Sequence, residues 1–327
     1  MTRYAFRVLL GSLLLVSCGW HAPGRAQEAP PGYPTRPIRI IVPVVPGGGL
    51  DILSRSVGQM LTERWGQSVI IDNRGGGGTV LATELAAKAA PDGYTFFAGT
   101  DTLRIVGIMK RVGFDVRKAF DPVVPMAGQP YILIVNPTLP VKNVQDLIAH
   151  SMTQPLSYGS SGVGTVAHIG LEFFTAKTGA KLVHVPYKGG GQALLALLGG
   201  EIHMYPGLLL SASTAIRTGK ARPLAAMSLK RIPALPDLPT VAEQGFPGFK
   251  ITNSYGLFAP AGTPRPVINA INRLVGEFMH SPQMAQKLVA EGSEPAERMT
   301  PDQYRAFFAR DYEEVEGQIK QIKVKLY

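Results

Sequence analysis

Three times along this chain an apolar segment runs into a glycine-rich turn that opens a helix, and such a turn can hold an anion. The first is RIIVPVVPGGGLD, Arg39 to Asp51: Ile38, Ile40, Ile41 and Val42 form a β-branched block, Pro43 and Pro46 end it, and Gly47, Gly48 and Gly49 follow. The second is YGSSGVGTVAH, Tyr158 to His168, where Ser160, Ser161 and Thr165 add hydroxyl donors. The third is HVPYKGGGQA, His184 to Ala193. At a helix start the first backbone N–H groups have no helical partner and the dipole is positive, so each turn reads as an anion cradle. A lone glycine turn needs no ligand to explain it, because strand-to-helix bends favour glycine. Three in an exported chain predict two cradles facing across a cleft, one for each end of a small dicarboxylate.

The same residues do not assemble a catalyst. No turn is G-x-x-x-x-G-K-[ST], since Lys188 precedes its glycines, and none is G-x-G-x-x-G with an acid about twenty positions on. GSSGVG needs glycine at Val163 to be a nucleophile elbow. The histidines at 21, 150, 168, 184, 203 and 280 are too dispersed for a helical metal pair, and no cysteine accompanies them. The alternative from another class, a secreted hydrolase using Ser161 and His168, requires those two side chains to meet. No metal, cofactor or nucleic acid is expected.

The cradles sit in a strand–helix alternation. Strands are expected at Val69–Asp72, Tyr94–Ala98, Ile132–Val135, Leu156–Gly159 and Leu182–Val185, and helices at Val80–Ala90, Val144–His150, Thr165–Thr178 and Gln192–Leu198. That rhythm predicts an α/β fold with mostly parallel sheets and helices on both faces. Near the C-terminus, Thr263-Pro264 reads as an N-cap with an N1 proline. Thr300-Pro301-Asp302-Gln303 reads as a capping box, followed by an apolar stripe from Phe307 to Leu326. Crossovers are expected near Asn136 and Phe249. The division is then residues 36–135 plus 250–327 as one lobe and 136–249 as the other.

Residues 1–26 read as a secretory signal peptide: Arg3 and Arg7 precede the short apolar run Val8–Val16, with a small-residue exit near Ala26. The only cysteine, Cys18, lies in LVSC, a lipobox-like stretch, which offers acylation as the alternative to cleavage near Ala26. Export to the periplasm is the common expectation. Without this segment the net charge falls from +10 to +7, spread over the sequence rather than clustered as nucleic-acid binding demands. About 300 residues suit two medium domains better than one core.

YPTRPIRIIVPVVPGGGLDILSR, VIIDNRGGGGTV, AAPDGYTFFAGT, VNPTLPVKNVQDL, HVPYKGGGQALLALLGGEI, ALPDLPTVAEQGFPGF and YGLFAPAGTP resemble successive blocks of the Bug receptors. These are extracytoplasmic solute-binding proteins of tripartite tricarboxylate transporters. The resemblance, collinear from Tyr33 to about Arg310, implies a two-lobed, hinged periplasmic-binding fold of the Venus flytrap type. It also implies a monomer that holds a small carboxylate by backbone N–H groups and water, without metal or cofactor, and serves an inner-membrane permease or sensor. Carried over by position, one cradle is Val45, Pro46, Gly47, Gly48, Gly49, Leu50 and Asp51, with Thr100 beside it. The opposite wall is Ser160, Ser161, Gly164, Thr165 and His168, and Tyr187, Lys188 and Gly189 close one side. Leu50 stands where the family commonly has a smaller or hydroxylated residue, and Ser254 where it commonly has tryptophan. These departures predict a roomier pocket for a bulkier acid, aromatic or branched, with Arg104 as a second charge partner.

Overall fold

The computed structural model describes residues 30–109 and 111–321; the expected export segment with Cys18 lies outside the described residues. The first lobe opens with β1 (Ile38–Val42), α1 (Gly49–Trp65), β2 (Val69–Asn73), a 3-10 turn at Gly77–Thr79, α2 (Val80–Ala87) and β3 (Thr95–Thr100). Two short helices, α3 (Thr102–Ile108) and α4 (Val116–Ala119), lead into the long strand β4 (Phe120–Val135). The second lobe comprises α5 (Val144–Thr153), β5 (Leu156–Ser160), α6 (Val166–Thr178), β6 (Leu182–Pro186), α7 (Gly190–Leu198), β7 (Met204–Leu208), α8 (Leu209–Arg217) and β8 (Arg222–Ala226). The chain returns on β9 (Thr252–Pro260) and ends with α9 (Arg265–Met279), α10 (Pro282–Ala290), β10 (Glu294–Pro295) and α11 (Pro301–Gln321).

Within each lobe the strands that alternate with helices pair in parallel, β2 and β3 on β1, and β6 and β7 on β5. The crossover strands pair antiparallel, because the chain leaves the first lobe on β4 and comes back on β9. β4 serves both sheets: its first part pairs with β9, and Tyr131–Val135 pair with β7 and β8. The exchange lies inside the strands, where Tyr131 N–H donates to the Ile251 carbonyl at 3.1 Å, and not at the Asn136 and Phe249 loops. Tyr131–Val135 therefore pair within the second sheet.

Both sheets are covered on both faces. Ile38, Ile40 and Val42 pack with Leu53, Val57, Ile271 and Val275 of α1 and α9, while Ile41 and Phe97 face Phe120, Phe258 and Phe308 on the other side. In the second lobe Leu133 and Val135 meet α5 and α6, and Ile132 and Ile134 meet α7 and α8. The capping box forms: Thr300 N–H donates to Gln303 Oε1 at 2.8 Å, and Gln303 N–H to Thr300 Oγ1 at 3.3 Å. α9 starts one residue later than expected, with Pro264 as its N-cap and Thr263 Oγ1 donating instead to the Pro260 carbonyl at 2.8 Å. The stripe on α11 spans two lobes: Tyr304, Phe308 and Tyr312 join the first lobe's core, whereas Val315 and Ile319 pack on the second's.

Candidate functional site

The first glycine turn is built by its own carboxylate. Asp51, in the first turn of α1, accepts from the Gly47 N–H at 2.9 Å and from Asn73 Nδ2 at 2.9 Å, and pairs with Arg55 at 2.9 Å. Burial pushes this carboxyl up, but the bonds from Arg55, Gly47 and Asn73 outweigh it and hold it below the usual carboxylate range. Asp51 and Gly47 are thus occupied with each other. The N–H groups of Gly49, Leu50 and Asp51 precede the first helical bond, Ile52 N–H to the Gly48 carbonyl, and remain orphans of the helix start.

The second turn is held by stacked imidazoles. His168 and His184 lie ring on ring, 4.0 Å apart and 15° from parallel, with Tyr158 stacked on His184 at 4.9 Å. Ser160 Oγ is 2.6 Å from His184 Nε2 and accepts the Gly162 N–H at 3.1 Å. His168 Nδ1 accepts the Gly164 N–H at 3.0 Å, which leaves its proton on Nε2, facing Glu172 at 3.9 Å. Burial lowers both rings, His184 to about 3 with His168 beside it as a further cause. Thr165 caps α6, its side chain accepting the His168 N–H. His168 therefore faces Gly164 and Glu172 and not Ser161. In this turn the serine that meets a histidine is Ser160, fully buried on a ring whose pKa burial lowers, while Ser157, which meets His203 at 2.7 Å, lies outside the cavity lining.

The turns converge on a cavity of about 70 Å³ between the lobes. Of the expected residues, Val45, Gly48, Gly49, Leu50, Thr100, Ser161 and Thr165 line it. Pro46, Gly47, Asp51, Ser160, Gly164 and His168 shape the turns from behind, and Gly189 packs against Val45, where a Cβ would lie 2.8 Å from Cγ2. Tyr187 and Lys188 line an outer depression of about 430 Å³ together with Arg111, Gly77 and Gly78. Ser254 is elsewhere: its N–H donates to Asp101 Oδ2 at 3.0 Å, and it lines a separate hollow behind the hinge. Arg104 is paired with Asp101, and with Asp311 at 2.6 Å, under α11. Leu50, 2% exposed, is also part of the first lobe's core. Ser254 and Arg104 thus lie outside the cavity lining, and Leu50 borders it as a core residue.

Besides Thr100, Ser161 and Thr165, the cavity wall carries polar side chains that sequence reasoning missed. Tyr131, Tyr205 and Tyr255 come from β4, β7 and β9, and Thr79, Asn253 and Ser211 join them. Burial raises all three phenols far above their ordinary value, so they stay protonated donors. Each of two glycine turns has a tyrosine against it: a Cβ at Gly49 would lie 2.8 Å from Tyr255 Oη, and one at Gly190 2.5 Å from Tyr205 Oη. The N-terminal residues of α1, α6 and α7 and the N-cap of α8 all border the cavity, and none of its lining side chains is charged. Helix dipoles, N–H groups and hydroxyls supply a positive potential without a cation.

A family model described as the tripartite tricarboxylate transporter family receptor matches residues 53–324. Protein BugT of Bordetella pertussis is 33% identical over 323 residues, covering 96% of each chain. Among solved structures, Rpa4515 of R. palustris with adipate superposes with a TM-score of 0.83 at 34% identity, covering 89% of this chain and 97% of that one. MatC of Rhodopseudomonas palustris with bound malate does so with a TM-score of 0.81 at 27% identity, over 89% and 99%. The chain belongs to the tripartite tricarboxylate transporter receptor family, whose members are periplasmic solute-binding receptors and not enzymes.

Proposed function

We propose that this protein captures a small aliphatic dicarboxylate between its lobes and presents it to a tripartite-type permease or a sensor in the inner membrane. The carrying observation is the meeting of several helix starts, those of α1, α6, α7 and α8 among them, around one cavity with no charged side chain on its wall. An anion there gains dipole attraction and N–H donors, whereas a cation finds no carboxylate to pair with. The relatives solved with adipate and malate carry aliphatic dicarboxylates, which supports that ligand class here. The expected ligand-contacting set is Val45, Gly48, Gly49, Leu50, Thr100, Ser161 and Thr165, supported from behind by the remaining turn residues. Export through residues 1–26, with cleavage near Ala26 or acylation of Cys18, would place the receptor in the periplasm.

A thermal-shift screen of organic acids tests this reading. A bound acid at a hundred times its Kd stabilises the fold by about 2.7 kcal/mol. Stabilisation by malate, succinate or adipate is expected; stabilisation by cationic or neutral solutes alone would overturn it. The hydrolase alternative predicts turnover lost in Ser161→Ala, which the orientation of His168 argues against.

A further inference from the structure

Two hydroxyls on the cavity wall have no partner in the protein. Tyr255 is 2% exposed, and its Oη makes no hydrogen bond within the ordinary distance and angle limits; the Asn253 side chain beside it acts on the phenol as a donor does, which leaves the Tyr255 O–H itself without an acceptor. Gly49, the first residue of α1, leaves room for the phenol to reach the helix start. Thr79 is 8% exposed, and its Oγ1 is also unpartnered. It occupies the N-cap of α2, where a threonine oxygen ordinarily accepts a first-turn N–H, yet it makes no such bond.

Thr79 is conspicuous for a second reason. Its φ of +73° makes it the only non-glycine residue with positive φ among the described residues, and it follows glycines at 76, 77 and 78 that all have positive φ. A β-branched residue is among the least suited to that region, so a turn shaped by backbone needs alone would be served by one more glycine. Strain of this kind at a cleft points to a task for the side chain. Buried hydroxyls without partners are costly, and a bound group that satisfies them recovers the cost.

We propose that the Tyr255 and Thr79 hydroxyls donate to one carboxylate of the ligand, completing the site at the start of α1, and that their lack of any protein partner penalises closure of an empty cleft. The inference rests on the receptor reading above. An ionised carboxylate accepts at about four lone-pair positions, which the orphan N–H groups of α1 and these two O–H groups can fill together. A neutral amide or an ammonium at this pole would leave donor facing donor. The same two hydroxyls make closure conditional: sealed from water without ligand they are unsatisfied, and with ligand they are paired.

Isothermal titration of malate, succinate and adipate into the wild type, Tyr255→Phe, Thr79→Ala and Thr79→Ser decides the matter. Tyr255→Phe and Thr79→Ala should each bind about ten- to a hundredfold more weakly, and Thr79→Ser should stay within a few-fold of wild type. Ligand-free Tyr255→Phe should melt no lower than wild type, because it loses an unpaired polar group, and should scatter as a more compact particle. A lower melting temperature for ligand-free Tyr255→Phe would mean that the hydroxyl has a structural partner, and would overturn the proposal. Wild-type binding with unchanged affinity in both deletion variants overturns this inference alone. A wild type that binds none of the acids overturns the receptor reading and this inference with it.

Discussion

Gly49 and Gly190 make the site by what they omit. A methyl group at Gly49 would lie 2.8 Å from Tyr255 Oη and 3.0 Å from Leu210 Cδ2 across the cleft. We expect Gly49→Ala to weaken carboxylate binding at least tenfold while lowering stability by about 1–3 kcal/mol through overpacking; titration and chemical denaturation separate the two effects. At the same scale, the stacked rings of His168 and His184 set a pH dependence. Their folded pKa values lie below the unfolded value of about 6.5, so as pH falls the unfolded chain takes up protons that the folded chain refuses. The stability contribution is present above pH 6.5 and is lost progressively toward about 3, the folded value of His184. Urea unfolding between pH 5 and 8 should show this slope, shallower in His184→Phe; stability that rises on acidification would contradict it.

Among the elements, α11 does a task that its amphipathic stripe alone does not announce. It begins in the first lobe's aromatic core and ends on the second lobe, and between these ends Asp311 meets Arg104. Arg104, 5% exposed, holds both Asp101 and Asp311, and Asp101 in turn accepts the Ser254 N–H of β9. Removing the cation in Arg104→Ala leaves two largely buried carboxyl groups without their partner, a loss of about 3–5 kcal/mol by denaturation. Asn143→Ala provides a contrast on α5: the Asn143 side chain accepts the Asp146 N–H at 2.8 Å as an ordinary N-cap, and its loss should cost about 1 kcal/mol with ligand affinity unchanged.

For the molecule as a whole, the lobes are drawn together around the cavity. Arg111 of the first lobe donates to the Val163 carbonyl of the second and, at 3.2 Å, to the Gly77 carbonyl of its own. A Cβ at Gly78 would fall well inside contact distance of that same Val163 oxygen. The Arg111–Val163 bond links the two lobes, so an opening that separates them at this point would break it, and on that basis it is expected to favour the closed state. Arg111→Ala should therefore reduce ligand affinity by roughly tenfold, mainly through faster release, with little change in unfolding free energy. Small-angle scattering should show a smaller radius of gyration on saturation with malate or adipate; an unchanged radius would argue against closure.

Local chemistry determined the cradles, the helix starts and the alternation of strand and helix, because each depends on residues within one or two turns of chain. The start of α6 at about Thr165, the box at Thr300 and Gln303, and β1 running through Gly47–Gly49 into α1 were all legible for that reason. β4 was not legible beyond its last residues: Pro122, Pro125 and Pro130 cannot donate to a ladder and argue against a strand, and only pairing with β9 through two register shifts makes one of it. The wall of the cleft was legible only in part. Which hydroxyl faces a cavity depends on strands far apart in sequence coming side by side, so Tyr131, Tyr205 and Tyr255 carried no local mark, and Ser254 and Arg104 could not be placed behind the hinge. The sequence determined where glycine-rich turns open helices; the tertiary structure decided which turns face one another and which polar groups line the cavity between them.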